Sequence, residues 1–78
     1  MRKIDLTMMK AGTRGIIVQI KGGRWLRLRL NSLGIRSGVK ITKISSQLLR
    51  GPVTIGMGNT QVAIGFGMAR KIIVELEK

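Results

Sequence analysis

Lys21-Gly22-Gly23-Arg24-Trp25-Leu26-Arg27-Leu28-Arg29-Leu30-Asn31-Ser32-Leu33-Gly34-Ile35-Arg36-Ser37-Gly38 is the stretch on which the reading of the whole chain turns. It carries two periods at once. Leu26, Leu28 and Leu30 alternate with Arg27 and Arg29, as on a strand, while Leu26, Leu30 and Leu33 fall at i, i+4 and i+7, as on a helix. The helix is favoured by its ends and its residue types. Gly34 stands where a C′ residue enters the left-handed region, which glycine does without steric cost. Arginine and leucine form helices well, and no β-branched residue occurs between 24 and 33. Such a helix buries Leu26, Leu30 and Leu33, continued by Ile35. It turns Arg24, Arg27 and Asn31 outward with Leu28 between them.

The flanks read as strands. Before the glycine pair, Arg14–Ile20 is rich in β-branched residues and places Ile16, Val18 and Ile20 on one face. Lys10–Thr13 is a turn ahead of it. After the turn at Arg36–Gly38, Val39–Ile44 puts Val39 and Ile41 on one face and Ile44 on the other. That change of phase implies a bulge or a two-sided position near Lys43. Ser45–Gly51 reads as a loop ending at Pro52, acceptable as a first strand residue. Val53, Ile55 and Met57, then Val62, Ile64 and Phe66, make a hairpin reversed at Gly58–Asn59. Residues 67–71 allow one helical turn. The last strand sends Ile72, Val74 and Leu76 inward and Glu75 and Glu77 outward. About five short strands with one short helix after the first long strand describe a mainly β chain, a small β-barrel whose closure would remove exposed edges.

With 78 residues there is room for one small domain, 1–78. Fifteen Lys and Arg against three Asp and Glu give a net charge of +12, spread from Arg2 to Lys78 rather than gathered in a tail. A field of that sign draws in nucleic acid, anionic lipid or an acidic protein face. No long apolar run follows the amino-terminal Arg-Lys pair, so no signal peptide is expected, and nothing approaches the length of a membrane helix. The chain has neither Cys nor His nor Tyr, and Asp5, Glu75 and Glu77 are its only carboxylates. General acid–base and nucleophilic catalysis lack their usual groups, so no catalytic residue is expected. Gly56–Met57–Gly58 and Gly65–Phe66–Gly67 lack the strand–loop–helix setting of a phosphate loop. Ferrous iron prefers imidazole and carboxylate, so no metal site and no cofactor are expected. The methionines read as core filling.

The ordered set of residues resembles the FeoA family. Ala11-Gly12-Thr13-Arg14-Gly15 matches its opening before the first long strand. Gly22-Gly23, Leu26, Arg29-Leu30, Leu33-Gly34-Ile35 and Gly38 match its central segment, and Gly51-Pro52, Ala69 and Ile72-Ile73-Val74 its end. The resemblance implies an SH3-like β-barrel with the helix inserted after the first long strand. It also implies an accessory role in ferrous iron uptake: binding the cytoplasmic part of the FeoB transporter, either its GTPase domain or its membrane part. The same kind of domain ends some metal-dependent repressors, so a transition-metal-responsive regulatory domain is an alternative.

The residues expected to bind a partner are Arg24, Trp25, Arg27, Leu28, Asn31 and Arg36. Tryptophan and arginine are enriched among interface hot spots, and arginines without acids to pair with must reach solvent. Trp25 has a second reading, as a cap over one end of the barrel. A basic β-barrel could also bind nucleic acid, but stacking needs aromatic platforms and only Trp25 and Phe66 are present, the latter expected inside. An anionic membrane surface and a homodimer are further candidate partners. The expected location is cytoplasmic or membrane-peripheral.

Overall fold

The computed structural model describes residues 2–45 and 49–77. In chain order it forms β1 (Lys3–Asp5), a 3-10 turn (Leu6–Met8), β2 (Arg14–Ile20), α1 (Arg24–Ser32), β3 (Lys40–Ser45), β4 (Val53–Met57), β5 (Thr60–Ile64), α2 (Phe66–Ala69) and β6 (Ile72–Leu76). All strand pairs are antiparallel, in the order β1-β6-β2-β3-β4-β5. The expected mainly β, SH3-like architecture is present, with α1 between β2 and β3. A sixth strand, β1, joins the five expected ones because Lys3–Asp5 pairs with Ile73–Glu75. No β5–β1 pairing exists among the described residues, so both end strands keep an edge that full closure would have removed. Part of the expected Ser45–Gly51 loop, residues 46–48, lies outside the described residues.

The core is aliphatic. Leu6, Ile17, Leu30, Ile35, Ile55, Ile64, Ile72 and Val74 are fully buried, with Leu26, Val39, Met57 and Leu76 packed against them. Inward phase was read correctly on β4 and β6 and incorrectly on β2. There Gly15 and Ile17 are buried, Ile16 and Ile20 half-buried, and Val18 exposed. The cause is a register shift between Ile17 and Gln19 against β6. The extra residue lets Ile17 and Ile20 both contribute to the inside, which strict alternation forbids. Phe66 does not extend β5; it opens α2 and is half-buried, with the Arg50 guanidinium 6.0 Å from its ring centroid. Met9 is core, as expected of a methionine, but Met8 is exposed.

Helix α1 ends as its glycine implies. Leu33 is the C-cap and Gly34 follows at φ +86°. The Gly34 N–H donates to Asn31 O at 2.9 Å and the Ile35 N–H to Leu30 O at 2.9 Å, the paired bonds of a Schellman ending. Leu30 and Ile35, brought together by those bonds, are both fully buried. Leu33, expected in the buried stripe, is instead 42% exposed, because the chain leaves the helical path at that residue. A side chain at Gly34 would meet only Met57 Cε, at 3.8 Å, so its cost is conformational rather than steric. Gly34→Ala should lower stability by about 1–2 kcal/mol and Gly34→Asn by less, read from denaturant midpoints. Equal effects would show that the turn does not need the left-handed region.

The expected irregularity near Lys43 is real: β3 shifts register against β4 between Lys43 and Ser45. Its main consequence was not foreseen. Lys43 points inward and is 1% exposed, while Ile44 faces out. Its Nζ donates to the backbone carbonyls of Leu6 (3.2 Å), Thr7 (3.2 Å) and Met9 (2.7 Å). One ammonium therefore satisfies the acceptors of the turn after β1, and those acceptors replace the water that burial removes. Burial lowers the Lys43 pKa below the ordinary lysine value, opposed by the Asp5 carboxylate. Asp5 caps the same turn, accepting from the Thr7 N–H at 2.9 Å and from the Thr7 hydroxyl.

Candidate interaction face on α1

Only Leu30 of α1 is fully buried and Leu26 is half-buried, so the remaining side chains of nine residues are presented outward. At 100° per residue, Leu28 and Arg24 lie opposite Leu26 and Leu30. Trp25 and Arg29, four residues apart, occupy one flank; Arg27 and Asn31, also four apart, occupy the other. The structure therefore separates the six expected contact residues into two neighbouring groups.

The first group is a crest. Trp25 is 87% exposed and Leu28 is 52% exposed, so Trp25 does not cap the barrel. Trp25, Leu26, Leu28 and Arg29 line one shallow hollow, and Arg24, Trp25 and Leu28 line another beside it. Arg29 is also exposed. The second group is a polar groove where α1 meets β2. Arg27, Asn31 and Arg36 line it with Val18, Gln19, Ile20 and Ser37. With its amide oriented to suit its neighbours, Asn31 donates to Arg27 O (3.3 Å) and Ile35 O (3.0 Å). Both amide protons are then used on the helix end, leaving Asn31 its carbonyl oxygen to offer a partner.

The electrostatics are one-sided. No acidic residue occurs between Asp5 and Glu75, so no arginine of α1 has a carboxylate on its own helix or in either flanking strand. Arg24 occupies the first helical position, after a Gly23 cap that makes no side-chain bond. A cation at that end opposes the helix dipole, and glycine offers the first amides no side-chain acceptor. A separate polar groove on the sheet is lined by Arg14, Lys40, Thr42, Asn59, Thr60, Gln61 and Glu77, among others, and holds no aromatic ring. Among the described residues, no three of the possible metal-ligating side chains gather in one place.

Comparison with known proteins decides the family, because the FeoA domain model matches residues 4–76. The chain belongs to the FeoA family. It is 40% identical over 70 residues to the protein named "Putative Fe(2+) transport protein A" of Methanocaldococcus jannaschii, covering 90% of this chain and 83% of that one. A crystal structure of the iron uptake regulatory protein FeoA superposes with a TM-score of 0.89 at 34% identity, covering 99% of this chain and 100% of that one. A manganese-dependent transcriptional repressor shares the fold at TM-score 0.88 and 17% identity, over 96% of this chain and 42% of the repressor. In this FeoA domain several residues that carry the family resemblance are ones the fold uses. Leu30, Gly34 and Ile35 build the end of α1, and Gly15 is packed between strands. Trp25, Leu28, Arg24 and Arg27 fall between the residues of that pattern and are left to the surface.

Proposed function

We propose that this FeoA domain is a small accessory protein of ferrous iron uptake that binds the cytoplasmic part of a FeoB-type GTPase-permease through α1. The contact residues are Arg24, Trp25, Arg27, Leu28, Asn31 and Arg36. The observation that carries the reading is a tryptophan 87% exposed on an arginine-rich helix with no acidic residue on it or in the strands before and after it. Tryptophan and arginine are enriched among binding hot spots, so their clustering on one exposed face suits a partner. No helix among the described residues is long and apolar enough to cross a membrane, which suits a peripheral component. Iron passes through the partner in this reading, and the domain's part is contact and regulation.

Purified transporter in neutral detergent provides the test. Arg24→Glu combined with Arg27→Glu should leave the melting curve near that of the wild type and weaken transporter binding about tenfold or more. Unchanged binding would overturn the assignment of the face. Recovery of RNA alone from whole-cell extract, insensitive to Trp25→Ala, would replace the transporter reading with nucleic-acid binding.

A further inference from the structure

We infer that the crest of α1 docks on an anionic lipid surface, with Trp25 and Leu28 entering the headgroup region and Arg24 and Arg29 pairing with lipid phosphates. The inference shares Arg24, Trp25 and Leu28 with the transporter reading, so lipid and transporter are alternative occupants of the crest, and the Arg27–Asn31–Arg36 groove stays free for a protein while lipid is bound.

The shape and chemistry of the crest carry it. Trp25 and Leu28 stand on the convex outer side of a nine-residue helix, 87% and 52% exposed. They are ringed by Arg24, Arg27 and Arg29, with Lys21 exposed just before the helix. Long arginine stems lie along apolar surface and carry their heads to the plane where the apolar residues enter, which is the geometry of a helix lying in a membrane interface. An exposed indole belongs to the same boundary, with an apolar body and one polar N–H. Guanidinium groups pair with phosphate oxygens in fork geometry.

Competing occupants fit less well. A second copy would bring two faces of one sign together in a chain of net charge +12. A stable dimer also needs about 800 Å² from each partner, more than Trp25, Leu28 and the 42% exposed Leu33 can supply. Nucleic acid would find a single aromatic platform on this face, whereas stacking along a strand uses several. An anionic bilayer needs neither a complementary groove nor a row of rings. Two inserted side chains alone bind weakly, so the attachment must be shared with charge and is reversible.

Trp25 is the only tryptophan, so the protein carries its own reporter. The experiment mixes the full chain with vesicles of phosphatidylcholine alone, or of phosphatidylcholine with phosphatidylglycerol, and follows Trp25 emission and co-sedimentation. With the anionic vesicles a blue shift, quenching by brominated acyl chains and release by high salt are expected; with neutral vesicles, none of these. Leu28→Asp should abolish the blue shift. Arg24→Glu with Arg29→Glu should weaken binding about a hundredfold, since each basic residue at an anionic surface contributes several-fold. Arg14→Glu with Lys40→Glu, in the distant sheet groove, should weaken it much less. Equal loss from the two charge pairs, or sedimentation without a blue shift, would overturn the placement on α1. A blue-shifted emission before any lipid is added would mean that another copy covers Trp25, and that too would overturn it.

Discussion

Lys43→Met is expected to lower the stability of the domain by about 3 kcal/mol, a fall of about 15 °C in the melting temperature for a chain of this size. Methionine matches the length and most of the volume of the lysine but donates nothing. The carbonyls of Leu6, Thr7 and Met9 would lose their common donor, while Leu6 O keeps the Met9 N–H at 3.3 Å. Removing a buried charge returns its desolvation cost, but the loss of three hydrogen bonds at one buried point outweighs that return, since only replacement of both sides of such a contact is near neutral. Lys43→Arg should fail as well, because three carbonyls converging on one point do not suit a planar fork. A Met variant as stable as the wild type would mean that Lys43 acts only as filling.

The same lysine sets a pH dependence. Burial places its folded-state pKa below its unfolded value, with Asp5 acting in the other direction. Between those two values the unfolded chain holds more protons than the folded one, so stability rises with pH across that window. Below the folded value the contribution is constant. The stability difference between wild type and Lys43→Met should therefore widen as pH climbs toward the ordinary lysine value. A difference independent of pH there would contradict the burial of a titrating ammonium.

Gly15→Ala is the second large expected effect, about 3 kcal/mol in a denaturant midpoint, with Gly15→Val failing to fold. Gly15 lies in β2 between its register partners Ile41 of β3 and Leu76 of β6. A methyl group there would stand 2.4 Å from Val74 Cγ1 and 2.7 Å from the Glu75 carbonyl oxygen. The first neighbour is buried and the second is backbone of a paired strand, so relief requires β2 and β6 to move apart. Overpacking of a closed core typically costs about 1–3 kcal/mol, and a backbone obstacle places this site at the upper end. An alanine variant within about 0.5 kcal/mol of wild type would show that the two strands can separate freely there.

Much of the fold was legible because its signals are local. The helix of the Lys21–Gly38 stretch follows from Gly34 and from the residue types between its glycines, and α1 ends at the residue those signals name. The alternation of Val53 with Ile55 and of Ile72 with Val74 marks the buried face directly. What escaped depends on distant chain. The shift at Ile17–Gln19 comes from pairing with β6, and nothing in Ile16-Ile17-Val18 announces it. The burial of Lys43 escaped because its three acceptors lie 34 to 37 positions away, in a turn with no sequence signature for binding an ammonium. On the candidate face, the outward arginines were readable from the scarcity of acids. The exposure of Trp25 was not, since an indole beside two leucines fits a core as well as a surface.

The pairing of β1 with β6 has a consequence for how the domain is made and used. Lys3–Asp5 and Ile73–Glu75 are register partners, so the two ends of the chain leave the fold side by side. During synthesis the sheet cannot be completed until β6 is free of the ribosome, and the early strand must wait for it. Long-range pairing of this kind slows folding. In exchange, adjacent ends let the domain join a longer polypeptide at either terminus with little disturbance to its core. The manganese-dependent repressor, in which the same fold spans 42% of the chain, is one such longer polypeptide.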